Sequence, residues 1–178
     1  IAEADMAVGN LEVTLAGPPY KGYPAFSSPD ALPLALWETG YDVLVTANNH
    51  ALDRGRKGLE RTLDVLDTLG FIRAGTYRHR EERRDHYPLI VEKNGIRLAM
   101  VNYTYGTNGL KVKPPNIVNR IDTAQIRKDL AKAATAEPDF VIALMHWGNE
   151  YERTENRRQR ELAQFLLDHG VDAIIGSH

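Results

Sequence analysis

The chain has 178 residues, 43% hydrophobic and 26% charged, which suits one globular domain with a substantial core. Its net charge of −2 offers no bulk basic field for nucleic acid or an anionic membrane surface. The absence of cysteine excludes disulfides, thiolate zinc sites and cysteine nucleophiles, so any metal must be held by nitrogen and oxygen.

In chain order, residues 5–8 read as a short strand. Ser28-Pro29-Asp30 then opens a helix, with Ser28 as its cap and Pro29 in the first turn. That helix carries Leu32, Ala35 and Leu36 and stops at Gly40. Residues 41–45 form a second strand, followed by the polar turn Asn48-Asn49-His50. The strongest helix covers residues 57–69, where Leu59, Leu63, Leu66 and Leu69 share one face. The mixed charge run 78–85 reads as an exposed loop. Strands at 87–92 and 96–103 flank Asn94-Gly95, a hairpin signal. Residues 104–119, rich in Gly, Pro and Asn, form a loop. Asp122-Thr123 opens a helix with Ile126 and Leu130 inward, 140–145 is a strand, 157–168 a helix and 171–175 a last strand. Helix–strand alternation with one hairpin predicts a layered α/β domain. No apolar run approaches the roughly 18 residues of a membrane span. No signal-like segment is present, and both termini read as cut.

Four polar clusters fall at or just after strands: Asn10-Leu11-Glu12, Asn48-Asn49-His50, His146-Trp147-Gly148 and Ser177-His178. Each alone is explained by a turn or a satisfied loop residue. Together they place carboxylate, amide oxygen and imidazole at one rim of a sheet, a donor mix for a divalent cation. Tyr103, Tyr105, Trp147 and Tyr151 could wall a cleft. His79, His86 and His169 read as surface or helix-end residues. The arginines at 78, 80, 83 and 84 could attract an anionic polymer, but interleaved acids favour a solvated loop.

The runs VGNLEVTL, TANNHALDRGRKGLERTLDVLDTLG, MHWGNEY and GVDAIIGSH, spread from Gly9 to His178, resemble the CapA (PGA_cap) capsule-synthesis family, which is related to the calcineurin-like metallophosphatases. The resemblance implies a layered α-β-β-α metallophosphatase-like sandwich, incomplete here at both ends, with a metal site at one edge. It implies Asn10, Glu12, Asn49, His146 and His178 as metal ligands and His50 as the catalytic acid or substrate contact. Asn48, Trp147, Glu150 and Tyr151 are implied at the substrate. The upstream aspartate strand and the Pro-His that follow the family's pattern are not in this sequence. One ion (Mn, Fe or Zn) is therefore the expectation, with paired-ion chemistry needing the other segments. The implied function is synthesis or export of a capsule polymer, poly-γ-glutamate, with a metal-dependent hydrolase site for a phosphoester or γ-glutamyl amide. The alternative is a non-catalytic component that binds or assembles the anionic polymer through a vestigial metal cleft. Expected partners are an anionic polymer or phosphoester and other capsule-synthesis proteins at the membrane, without nucleic acid. The implied location is the bacterial cell surface, exported or membrane-associated. A plain α/β domain with structural turns is the remaining reading.

Overall fold

The computed structural model describes residue 1 and residues 3–178. Its elements begin with β1 (Val8–Asn10), α1 (Ala31–Glu38), β2 (Val43–Val45), α2 (Gly55–Leu69), β3 (Ile72–Ala74), β4 (Thr76–Tyr77) and α3 (Arg80–His86). They continue with β5 (Leu89–Lys93), β6 (Ile96–Thr104), β7 (Ile117–Val118), α4 (Thr123–Ala134), β8 (Phe140–His146), α5 (Arg157–Asp168) and β9 (Ala173–Ser177). Strands β1, β2 and β3 form a parallel sheet in that order. Strands β5, β6, β8 and β9 form a second sheet, antiparallel at the β5–β6 hairpin and parallel elsewhere. A two-stranded antiparallel ribbon pairs β4 with β7.

Side chains alternate along β2, β6 and β8, so each of these strands serves two cores. Val43 and Val45 of β2 meet Met100 and Leu144 of the second sheet, which brings the two sheets into contact. Leu44 points the other way, into a cluster with Leu11, Leu15, Leu66 and Phe71 beneath α2. Val101, Tyr103, Ala143 and Met145, on the far side of the second sheet, pack with Ile126 and Leu130 of α4 and Leu166 of α5. The α/β expectation holds, and strand alternation separates these three cores.

Local chemistry explains most boundaries. Leu59, Leu63 and Leu66 are buried on one face of α2, which ends at Gly70. Asn94 and Gly95 both take positive φ, 54° and 80°, as a two-residue hairpin turn demands. Asp122 caps α4 through the amides of Ala124 and Gln125, and Asn156 and Gln159 form a reciprocal capping box on α5.

Besides β7, which lies within the segment 104–119 read as a loop, three expectations change. The first strand lies at 8–10 rather than 5–8. The first helix starts after Asp30, not after Ser28, whose amide is instead bonded to the Thr14 carbonyl. Asp30 makes no side-chain cap because both its oxygens grip Arg61 at 2.8 and 2.7 Å. The third change is the charge run 78–85, most of which is helical in α3. Nothing in that helix is buried, so apolar periodicity could not reveal it. Charge holds it: Glu82 receives Arg73 at 2.6 Å and Arg78 at 2.7 Å, and those arginines also reach Asp67 and Asp64 on α2. His79 caps the helix by accepting the Glu82 amide.

Two buried polar groups tie the layers. Asp129 of α4 accepts from the Arg83 guanidinium at 3.2 and 2.7 Å, from the Tyr103 hydroxyl at 2.7 Å and from Gln125 at 3.0 Å. Asn102 of β6 accepts the Ala47 amide at 2.8 Å and donates to the Leu144 carbonyl at 2.9 Å. It thereby joins the end of the first sheet to the second. Among the described residues no helix is long and apolar enough to cross a membrane.

Candidate metal centre

The C-terminal ends of parallel strands β1, β2, β8 and β9 lead into the polar clusters. Register does the positioning: Asn10 lies opposite Val45, and His146 lies opposite Ser177. Glu12, His146 and His178 each offer a ligand atom, and these atoms lie within 4.8 Å of one another. Asn49 adds a fourth donor, its Oδ1 standing 2.9 Å from His146 Nε2. Among the described residues this is the one place where three such side chains gather.

His146 is held from both sides. Its Nδ1 meets Ser177 Oγ at 3.0 Å, while Nε2 faces Asn49 and, at 3.5 Å, Glu12 Oε1. Burial, with His178 and His50 nearby, lowers its pKa to about 4. The ring is therefore neutral near pH 7, and its approach to Glu12 is not an ion pair. A neutral imidazole oriented through Nδ1 is the form that ligates metal through Nε2. Burial pushes the Glu12 carboxyl above its ordinary range, against the opposing pull of His50 and His178. The nearby Glu150 carboxylate adds to that upward push. His178 Nδ1 is buried without a hydrogen-bond partner. An orphaned imidazole nitrogen beside a carboxylate, an amide oxygen and a second imidazole fits a divalent ion such as Zn, Mn or Fe.

The neighbouring residues divide between support and cleft. Asn10, expected as an oxygen ligand, has Oδ1 engaged by Asn48 at 3.0 Å and donates from Nδ2 to Glu12 at 3.1 Å. It orients the carboxylate. Asn48, expected at the substrate, is fully buried. It donates to Asn10 and to the Leu11 carbonyl and accepts the His50 amide, so it shapes the turn. His50 does line the cleft. Its Nδ1 donates to Asp53 Oδ2 at 2.7 Å, and its ring packs edge-on against Phe26, 4.5 Å between centroids. Asp53 also accepts the Phe26 amide, which fixes the carboxylate.

The cleft has a volume of about 630 Å³, and Asn49, His50, Asp53, Tyr105, Glu150 and His178 are among its lining residues. Tyr105 forms one wall, stacked over His146 at 6.1 Å and 4.8 Å from His178. Glu150 lines the cleft as expected in position. Tyr151 does not: it is 98% exposed and has a positive φ of 64°. Trp147 does not either: it packs against the core on the far side of the second sheet, its indole nitrogen occupying the space beside Gly176. Tyr103 is buried on Asp129 rather than in the cleft. Asp53, Ser177 and Asn108 are parts of the site whose roles the motifs did not disclose, although Asp53 lies one helical turn from His50 and Ser177 adjoins His178.

Residues 1–178 match the family described as bacterial capsule synthesis protein PGA_cap. Over 154 residues the chain is 31% identical to a protein of Bacillus anthracis named capsule biosynthesis protein CapA, covering 81% of this chain and 36% of that protein. Over 148 residues it is 30% identical to the PGA biosynthesis protein CapA of Bacillus subtilis (strain 168), covering 80% of this chain and 38% of that protein. The chain thus spans little more than a third of the curated relatives it matches.

Proposed function

The chain belongs to the PGA_cap family of bacterial capsule synthesis proteins, and from that premise we propose that it forms a metal-dependent hydrolase site acting on an anionic capsule polymer, poly-γ-glutamate, or on a phosphoester. The observation that carries this reading is the convergence of Glu12, Asn49, His146 and His178 beside a cleft that also holds the His50–Asp53 pair. We take the order of helices and two sheets as a layered α-β-β-α sandwich of the metallophosphatase kind, whose clefts open at strand ends.

Those four side chains would hold the ion, with Asn10 and Ser177 orienting Glu12 and His146. A divalent ion there supplies Lewis acidity and lowers the pKa of water. The protein's own contribution is proton management and enclosure. Asp53 fixes the proton of His50 on Nδ1, which leaves Nε2 to take or give a proton. Tyr105 screens the imidazoles from solvent on one side, which strengthens electrostatic effects within the cleft.

A second reading, a non-catalytic component that binds or assembles the polymer, is favoured by finding, among the described residues, one cluster of three such ligands where two-ion chemistry needs two. Calorimetry with Mn, Zn and Fe separates these. It is run on this chain and on a version extended at both ends, each with a His146→Ala control, followed by turnover of phosphoesters and γ-glutamyl peptides. Metal binding lost in the control, with turnover in the extended form, is the expected result. No binding above the control in either form overturns the hydrolase reading. The family's association with capsule supports extending the proposal to action at the cell surface, alongside other capsule-synthesis proteins.

A further inference from the structure

The clefts bordering residues 104–120 share walls. The metal-centre cleft shares Asn108 and Leu110 with a second cleft of about 660 Å³. That one shares Ile117, Val118 and Arg120 with a third, of about 550 Å³. The three clefts therefore follow one another along the loop, from the candidate metal centre to the face between α3 and α4.

The third cleft has a strong charge bias. Arg80, Arg83, Arg84, Arg120, Lys128 and Lys132 line it, against two carboxylates, Asp122 and Asp129. Both carboxylates are already engaged. Asp129 serves Arg83, Tyr103 and Gln125, and Asp122 caps α4. Arg84 is balanced by Asp85. Arg120 is bonded to the Tyr105 carbonyl, and Lys132 to the carbonyls of Arg84 and Tyr87, so neither meets an acid there. Arg80 and Lys128 make no ion pair among the described residues. Four cations thus converge on a concavity in which Asp122, bonded only to neutral backbone amides, is the one carboxylate without a cationic partner, an excess of positive charge in a chain whose net charge is −2. A concave wall of one sign concentrates potential in the groove. Arginine also offers a planar fork that matches a carboxylate. The neighbouring cleft at Asp67, Arg73, Glu82 and Asp85 shows the contrast, for its arginine is consumed by its own acids.

We propose that this basic cleft is a distal subsite that holds the carboxylates of an anionic capsule chain, while another stretch of the same chain lies at the metal centre. The inference rests on the polymer reading above, not on catalysis. The arginine cluster that reads as a solvated loop in the sequence is here one wall of a binding groove.

The test is fluorescence anisotropy of a labelled γ-glutamate oligomer with the chain, and with polyphosphate of matched charge as comparator. Arg80→Glu with Lys128→Glu, and the milder Arg80→Ala with Lys128→Ala, remove two exposed cations that support no core contact. Manganese titration and thermal melts on the same samples report the metal site and the fold. Expected is oligomer binding that weakens about tenfold or more in the charge-reversed pair, and less in the alanine pair, and that fades with salt. Metal affinity and melting temperature should be unchanged. Unaltered oligomer affinity in both folded variants overturns the subsite. So does polyphosphate binding as tightly as the γ-glutamate oligomer, and so does wild-type chain that takes manganese but no oligomer. Oligomer binding lost in the variants while manganese fails to bind supports the subsite and overturns the metal reading alone.

Discussion

Replacing Gly75 by alanine tests how the two sheets are joined through the Ala47–Asn102 hydrogen bond. Gly75 has φ of +116°, where a side chain costs about 1–3 kcal/mol in backbone strain. A Cβ built there lies 2.1 Å from Asn102 Oδ1 and 2.4 Å from the Ala47 backbone nitrogen. Those are the two atoms of the buried 2.8 Å hydrogen bond that links the sheets. Forcing them apart leaves a buried amide unpaired, at roughly 1–3 kcal/mol. Together the variant should lose about 2–6 kcal/mol, a large share of the roughly 5–15 kcal/mol that stabilises a typical domain. Gly95→Ala is the matched control. It too has a positive φ, +80°, but nothing lies within 4 Å of its Cβ. It should lose only the backbone component, about 1 kcal/mol. Urea unfolding of both variants measures the difference. Equal losses in the two would refute the claim that the Ala47–Asn102 contact, rather than backbone conformation, is what Gly75 protects.

Ser177→Ala should weaken metal affinity about 10–100-fold while the fold persists, since it removes only the partner of His146 Nδ1; calorimetry reads this directly. Asp129→Ala should cost about 3 kcal/mol in chemical denaturation, near the low end for a broken buried pair because Arg83 keeps 15% exposure. Glu82 supplies a pH signature. Burial raises its pKa, but hydrogen bonds from Arg73 and the Arg78 amide, with both positive charges, outweigh this and hold it below 4.5. A carboxyl depressed in the folded state contributes stability above its unfolded pKa and loses it as pH falls through the lower folded value. Glu82→Gln should therefore lose stability at pH 7 and show a flatter decline below about pH 4.5 than wild type, measured by thermal melts across pH.

What the sequence disclosed tracks the range of the interactions. Helix α2 was legible because its leucines recur on one face, and the β5–β6 hairpin because Asn94-Gly95 admits two positive φ angles. Strands β3 and β4, two or three residues long, carry too little pattern to detect. Helix α3 escaped because its support comes from Asp64, Asp67 and Arg73, residues outside the segment. At the site, the motifs located the right turns but not the division of labour within them. Asn48 and Asn49 are chemically identical, and only the chain's path decides that one braces the turn while the other faces His146. Tyr151 looked like cleft material from its position after His146-Trp147-Gly148, yet it lies almost wholly in solvent.

The donors of the candidate metal centre come from opposite halves of the molecule. Glu12 and Asn49 follow strands of the first sheet, and His146 and His178 end strands of the second. An ion bound by all four would act as a clasp between the sheets, so that separating them would require releasing it. Whatever favours the bound ion then favours the closed sandwich, by about 2.7 kcal/mol at a free ion concentration a hundred times the dissociation constant. The melting temperature of this chain would then report on the metal content of its surroundings, which makes the fold itself the most direct indicator of an occupied site.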